Sequence, residues 1–351
     1  MSIEAPHIIV ISFATAIAFC WLVLVTKKFH SDFTSGGLAG PQTVHAGEIP
    51  RVGGIGIMLS ILIGASLVDG ELALLMWQIT AAAGLAFAAG VLEDVTGKIN
   101  PKIRLFASLL SGATFVYLSG ITIPNIGIGW VDAMLGWWPL AAFLTVLAIA
   151  TLINAVNIID GLNGLSIGTC CFMAVAIACL AYGEGDFALA ALALIYTASL
   201  AGVGMFNFPF GKVFVGDGGA YLMGAIIAIL VILLPARNAN ISAFASLLII
   251  LYPFYEMSRS MLRRGFIGKN AMLPDSKHLH SFIYNGNIRL LNKDKTIVNY
   301  LSALITLSLP AFCAAWAVLF ENSIIMLCIG IFIFAIAYET CFRIYAKVRR
   351  G

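Results

Sequence analysis

Charge is scarce in this chain: Asp, Glu, Lys and Arg make up 11% of its 351 residues, against roughly 25% in a soluble domain. That shortage excludes an ordinary water-facing globule. The net charge of +3 says little by itself, and no nucleic-acid partner is expected. No C-x-x-C pair occurs; the seven cysteines (20, 170, 171, 179, 313, 328, 341) lie in or at the ends of apolar runs and read as small apolar fillers. Strand-like alternation and a fixed internal repeat are both missing. So is the phosphate-cradling string G-x-x-x-x-G-K-[ST]. No basic region precedes the first apolar run, and Lys27-Lys28 follow it, so it reads as a retained span and not as a cleaved signal.

What is present is apolar, at 61% of residues with a mean hydropathy of +0.99. The apolar residues come in blocks of about 17–25, long enough to cross a bilayer as helices. Helices satisfy their own backbone groups in lipid. The expected fold is therefore an all-α polytopic membrane protein, one integral-membrane domain over 1–351. Eleven spans are read at 7–26, 53–69, 72–92, 103–120, 136–154, 164–182, 187–206, 219–235, 241–256, 297–320 and 323–342. With the N-terminus outside, 19 of the 20 Lys and Arg residues fall on the cytoplasmic side and only Arg237 outside, as the positive-inside rule requires. The C-terminus is then cytoplasmic. So is the long loop 257–296, whose mixture of apolar and basic residues suits folding against the membrane surface. The connection 121–135, rich in Gly, Ile and Trp, is expected along the opposite interface.

Polar clusters interrupt the spans, all on the cytoplasmic side. The first loop ends His45-Ala-Gly-Glu48-Ile-Pro50-Arg51-Val-Gly53-Gly54-Ile-Gly56. Its glycines permit close approach to either a helix or a ligand. Glu93 and Asp94 end the third span, at the negative end of the helix dipole. They call for a positive partner: Lys98, Lys102, Arg104 or a bound cation. Asn154 and Asn157 lie one helical turn apart, so they share a face, which Asp160 extends if the helix persists. Gly161 and Gly164 then break it. In Phe214-Val-Gly216-Asp217-Gly218-Gly219 a helix begins with glycine amides able to face an anion, and Asp217 beside them is suited to Mg²⁺. His278 and His280, with Asp275, Arg259, Arg263, Arg264 and Lys269 nearby, read as phosphate ligands.

These strings, in this order, resemble the polyprenyl-phosphate N-acetylhexosamine-1-phosphate transferases over nearly the whole chain. The resemblance implies transfer of a sugar-1-phosphate from a UDP-N-acetylhexosamine to undecaprenyl phosphate. The products would be an undecaprenyl-diphospho-sugar and UMP, initiating a surface polysaccharide such as O-antigen. It implies Mg²⁺ (Mn²⁺ as the alternative) on Asp217 with Asp160, and Glu93, Asp94 and Asp160 as catalytic residues. Asn154, Asn157, His278, His280, Arg51, Lys102 and Arg104 would bind substrate. It also implies a multi-pass protein of the bacterial inner membrane with a cytoplasmic-face site; a homodimer is a candidate assembly. The chain departs from the family pattern at Glu93, where Asp is usual, at Asn163, at Gly218-Gly219-Ala220 in place of Thr-Gly-Ser, and at Ser281 in place of a third histidine. The rival class is a secondary transporter or lipid carrier. It would place ionisable groups near the bilayer midplane, where these spans carry almost none.

Overall fold

The computed structural model describes residues 5–34, 49–124, 126–266, 277–291 and 293–350. Regular structure among them is helical throughout: α1 Ala5–Thr34, α2 Gly53–Leu67, α3 Gly70–Thr96, α4 Pro101–Ser119, α5 Gly129–Leu135, α6 Trp138–Ile159 and α7 Leu165–Gly183. There follow α8 Phe187–Asn207, α9 Gly216–Arg237, α10 Ala243–Ile249, α11 Leu251–Phe266, α12 Leu279–Leu291, α13 Lys295–Leu319 and α14 Ile324–Arg350. His45 to Glu48, Lys269 and Asp275, singled out in the sequence, lie outside the described residues.

Eight of these helices (α1, α3, α6, α7, α8, α9, α13, α14) are long and apolar enough to cross a membrane. The other three expected runs fall on α2, α4 and the α10–α11 pair. That pair is broken at Ile250, because Pro253 has no N–H for the Ile249 carbonyl and its ring crowds it. The sequence reading missed this break. It also missed two short helices, α5 in the 121–135 connection and α12 in the long loop.

α9 is the axis of the molecule. Every residue from Gly218 to Leu234 is buried, and α2, α3, α6 and α7 pack around it. A helix that is apolar on all sides belongs inside a bundle. Two neighbours come unusually near. A Cβ at Gly90 of α3 would lie 2.5 Å from the Gly218 Cα, and one at Gly54 of α2 would collide with Gly219. Small residues are what permit backbones to approach this closely. Pro50 and the first residues of α2 also hydrogen-bond to the segment leading into α9: Phe214 N–H donates to Pro50 O, Gly53 N–H to Phe214 O, and Gly54 N–H to Val215 O. The Gly53–Gly56 run therefore serves helix packing.

The two ends of the bundle differ. At one end, Arg237 closing α9 binds Asp186 at 2.6 Å and Glu71 of α3 at 2.8 Å. At the other meet the end of α3, the start of α4, the end of α6, and the starts of α7 and α9.

Candidate active site

Asp217 sits in the first turn of α9 and is half-buried. Its Oδ1 accepts from the Asn157 amide at 3.2 Å, and its Oδ2 pairs with Arg104 at 3.0 Å. Arg104 is placed by a well-formed helix start. Asn100 caps α4 by accepting from Lys102 N–H, and Pro101 fills the first helical position, where its missing N–H costs nothing. Lys102 is exposed in the same turn, and its ammonium joins none of these bonds.

Asp94 answers the question of what compensates a carboxylate at a helix C-terminus. Its two oxygens accept from Asp217 N–H and Gly218 N–H, each at 2.9 Å. The negative end of α3 thus meets the positive end of α9. This corrects the expectation that the glycine amides of α9 stand ready for a phosphate: two of the orphan amides of that helix are already taken by Asp94. It also corrects the list of partners, since Lys98 and Lys102 play no part. Glu93 turns the other way. It accepts from Ile99 N–H at 2.7 Å and lies 3.9 Å from Arg104.

α6 ends at Ile159, so Asp160 is its cap and not a further turn of it. Ser166 of α7 donates to the Asp160 carboxylate, and Asp160 remains exposed otherwise. The charges of Asp217 and Arg51 both reach it, and Arg51 reaches Asp94 as well. Asn154 bends back onto its own helix at Ala150 O (2.7 Å) and touches Ser108 of α4. The shared face of Asn154 and Asn157 therefore splits, with only Asn157 bonded to Asp217.

The turn after Asp160 is fixed by buried amides. Asn299 of α13 accepts from Asn163 N–H, Asn163 donates to Pro209 O, and Asn207 accepts from Gly164 N–H while donating to Val213 O. Gly164 adopts a φ of 79°, which favours glycine. His280 packs directly on this turn, since a Cβ at Gly161 would strike its ring. His278 and His280 are both buried and stack in parallel, 5.6 Å apart. Burial holds the His280 imidazole down to about 4, so it is neutral near pH 7 and offers no charge to a phosphate. His278 faces Glu256 instead. Arg259 is also engaged, bound to Glu339 of α14 at 2.7 Å and lying over the Phe342 ring. Glu256 and Glu339 were missed in the sequence. Their only signal was an isolated acid at the edge of an apolar run.

Among the described residues no group of three or more His, Cys, Asp or Glu side chains is arranged to hold a metal. The donors at this end are carboxylate and amide oxygens, with no sulfur among them. That set fits Mg²⁺, which takes one or two carboxylates and completes its shell with water and substrate phosphates.

A model of glycosyl transferase family 4 matches residues 76–235, the stretch that carries Glu93, Asp94, Arg104, Asn154, Asn157, Asp160 and Asp217. Similar proteins include an undecaprenyl-phosphate alpha-N-acetylglucosaminyl 1-phosphate transferase of Yersinia pestis, 31% identical over 249 residues, and one of Escherichia coli K12, 31% identical over 246. A probable undecaprenyl-phosphate N-acetylglucosaminyl 1-phosphate transferase of Bacillus subtilis is 29% identical over 243. Each match covers 68% of this chain and spans 66% of the relative's own length. With the matched stretch carrying the polar constellation itself, the chain belongs to glycosyl transferase family 4.

Proposed function

We propose that this protein transfers a sugar-1-phosphate from a UDP-N-acetylhexosamine to undecaprenyl phosphate, yielding an undecaprenyl-diphospho-sugar and UMP. It acts at the cytoplasmic face of a bacterial inner membrane, at the first step of a surface polysaccharide such as O-antigen. The observation that carries the reading is the Asp94–Asp217–Asn157–Arg104 constellation at the helix ends. It sets an acidic metal-type ligand beside a cation and next to lipid-length helices. The names of the relatives supply the acceptor and the type of sugar.

The chemistry brings two anionic phosphates together. Arg104 and Arg51 offset part of that charge. Asp217, with Asp160 across the α6–α7 turn, would hold Mg²⁺; when bound, the ion neutralises the diphosphate and the departing UMP. Asn157 orients the Asp217 carboxylate, and Asp94 fixes the backbone that carries it. A lipid phosphate is largely ionised near neutral pH, so it attacks the sugar-bearing phosphorus directly and needs no strong base. Asp94 accordingly acts by position, with both oxygens committed to the amides of α9.

The test is turnover itself. Purified protein is incubated with undecaprenyl phosphate, Mg²⁺ and a panel of UDP-sugars, and UMP and labelled lipid are measured. UMP release that depends on the lipid phosphate, with one or two N-acetylhexosamine donors preferred, is expected. No product from any UDP-sugar overturns the reading.

A further inference from the structure

Glu256 stands outside the constellation described above, yet it is more completely enclosed than any other acid near it, at 2% exposure. A buried carboxylate is costly unless its lone pairs are filled. Here three donors fill them, from two parts of the chain: Tyr338 of α14 and the neighbouring His278 and Leu279. Tyr338 OH of α14 donates at 2.7 Å. Leu279 N–H, at the start of α12, reaches both oxygens at 3.1 and 3.3 Å. His278 Nδ1 lies 3.0 Å from Oε1. An ionised carboxylate can only accept, so His278 carries its hydrogen on Nδ1. That leaves Nε2 to act elsewhere.

The same pairing sets the neighbouring ring. His280 stacks on His278 with an interplanar angle of 7°, and it presses on Gly161, beside Asp160. Its Nδ1 is buried and has no hydrogen-bond partner among the described residues. The ring atom nearest the Gly161 turn is Nε2, so it is this edge of His280 that the stacked pair presents to the Asp160 side, while the bare Nδ1 carries the cost of an unmade bond. A chain of contact therefore runs from α14 and α11, through Glu256 and the two rings, to the turn that ends α6. Arg259 strengthens its far anchor by binding Glu339 of α14 one helical turn beyond Glu256.

We propose that Glu256 is a positioning residue: its carboxylate fixes the tautomer and orientation of His278. Through the stacked pair it holds His280 against the Asp160–Gly161 turn, so that the two imidazoles meet the UDP-sugar. This rests on the transferase reading above. Glu256 touches no reacting atom; it acts through His278.

The experiment compares Glu256→Gln, His278→Ala and the double variant, each checked for an unchanged elution profile and melting temperature. Gln keeps the size and an acceptor for Leu279 N–H but loses the charge that selects Nδ1–H. Glu256→Gln should raise KM for the UDP-sugar about tenfold, with KM for the lipid phosphate nearly unchanged. In the His278→Ala background it should add little, because the residue it positions is gone. A second readout needs no turnover: ¹⁵N-histidine spectra, with the His278 signal identified by its loss in His278→Ala. The wild type should show protonated Nδ1, and Glu256→Gln should lose that preference. Full additivity of the two substitutions, or an unchanged His278 signal in Glu256→Gln, overturns the proposal. A wild type that shows the Nδ1 tautomer but turns over no UDP-sugar overturns the transferase reading instead.

Discussion

Asp217 is gripped on both oxygens, by Asn157 and by Arg104, so its carboxylate has a fixed aim while remaining half open. Asp217→Asn keeps that shape and removes the charge. Turnover should fall by about 10²-fold or more, with little change in melting temperature. Near-normal turnover at saturating Mg²⁺ would remove Asp217 from the site. The two neighbouring acids should separate sharply. In Asp94→Asn one oxygen becomes an NH₂ facing an amide of α9, so a charge-assisted bond is lost and a clash of hydrogens replaces it. That should cost about 2 kcal/mol of stability and most of the activity, because Asp217 is on the same turn. Glu93→Gln still accepts from Ile99 N–H and loses only a 3.9 Å attraction to Arg104, worth a few tenths of a kcal/mol. Thermal melts and turnover measured side by side decide this; equal, small losses in both variants would contradict it. The residues of this constellation were visible in the sequence as polar interruptions, but their pairings were not. Nothing in Glu93-Asp94 says that one acid looks to α4 and the other to α9. That follows from where α9 lies, which is a tertiary fact.

At the scale of elements, the packing of α3 on α9 is what delivers Asp94 to its amides. Gly90 lies one turn before Asp94, and its missing Cβ is the reason the helices approach. The groups that a methyl would meet are backbone atoms of Asp217 and Gly218, which cannot swing aside. Gly90→Ala should therefore cost about 1–3 kcal/mol and much of the activity. Gly84→Ala, on the same helix with open space around it, should be neutral or slightly stabilising. If the two variants melt alike, close approach at Gly90 is not what seats α3. The histidine segment makes a different demand. His280 is held neutral, with its folded value near 4 below the ordinary 6.5. Between those two values the unfolded chain binds the extra proton, so this contribution to stability is present above pH 6.5 and is lost as pH falls toward 4. Melting temperature against pH should fall less steeply over that window in His280→Gln; identical slopes would count against it. The apolar runs made the long helices legible, because a run of that length has one backbone solution in lipid. The break at Ile250 was signalled by Pro253 and passed over. α12 was hidden because its apolar face only acquires meaning against α13 and α14.

At the scale of the whole molecule, sidedness joins the sequence to the site. The site gathers at the start of α9, while Arg237 at its other end is bound to Asp186 and Glu71, so the two clusters are separated by the full length of that helix. On the eleven-span reading the basic residues divide 19 to 1, with Arg237 the exception, and a misread span near the start would scramble that division. Reporters fused after Lys98, Lys212 and Lys277 should read as cytoplasmic, and one after Arg237 as periplasmic. The first three must agree with one another whatever their absolute side. Lys98 follows Glu93 and Asp94, Lys212 precedes Asp217, and Lys277 precedes the histidine whose neighbour packs on Gly161. Their loops are joined by direct contact across the site. A Lys212 reporter and a Lys277 reporter on opposite faces would separate Asp217 from His280. No single site could then be built from them, and an alternating-access carrier would become the better account of a chain with so little charge in its spans.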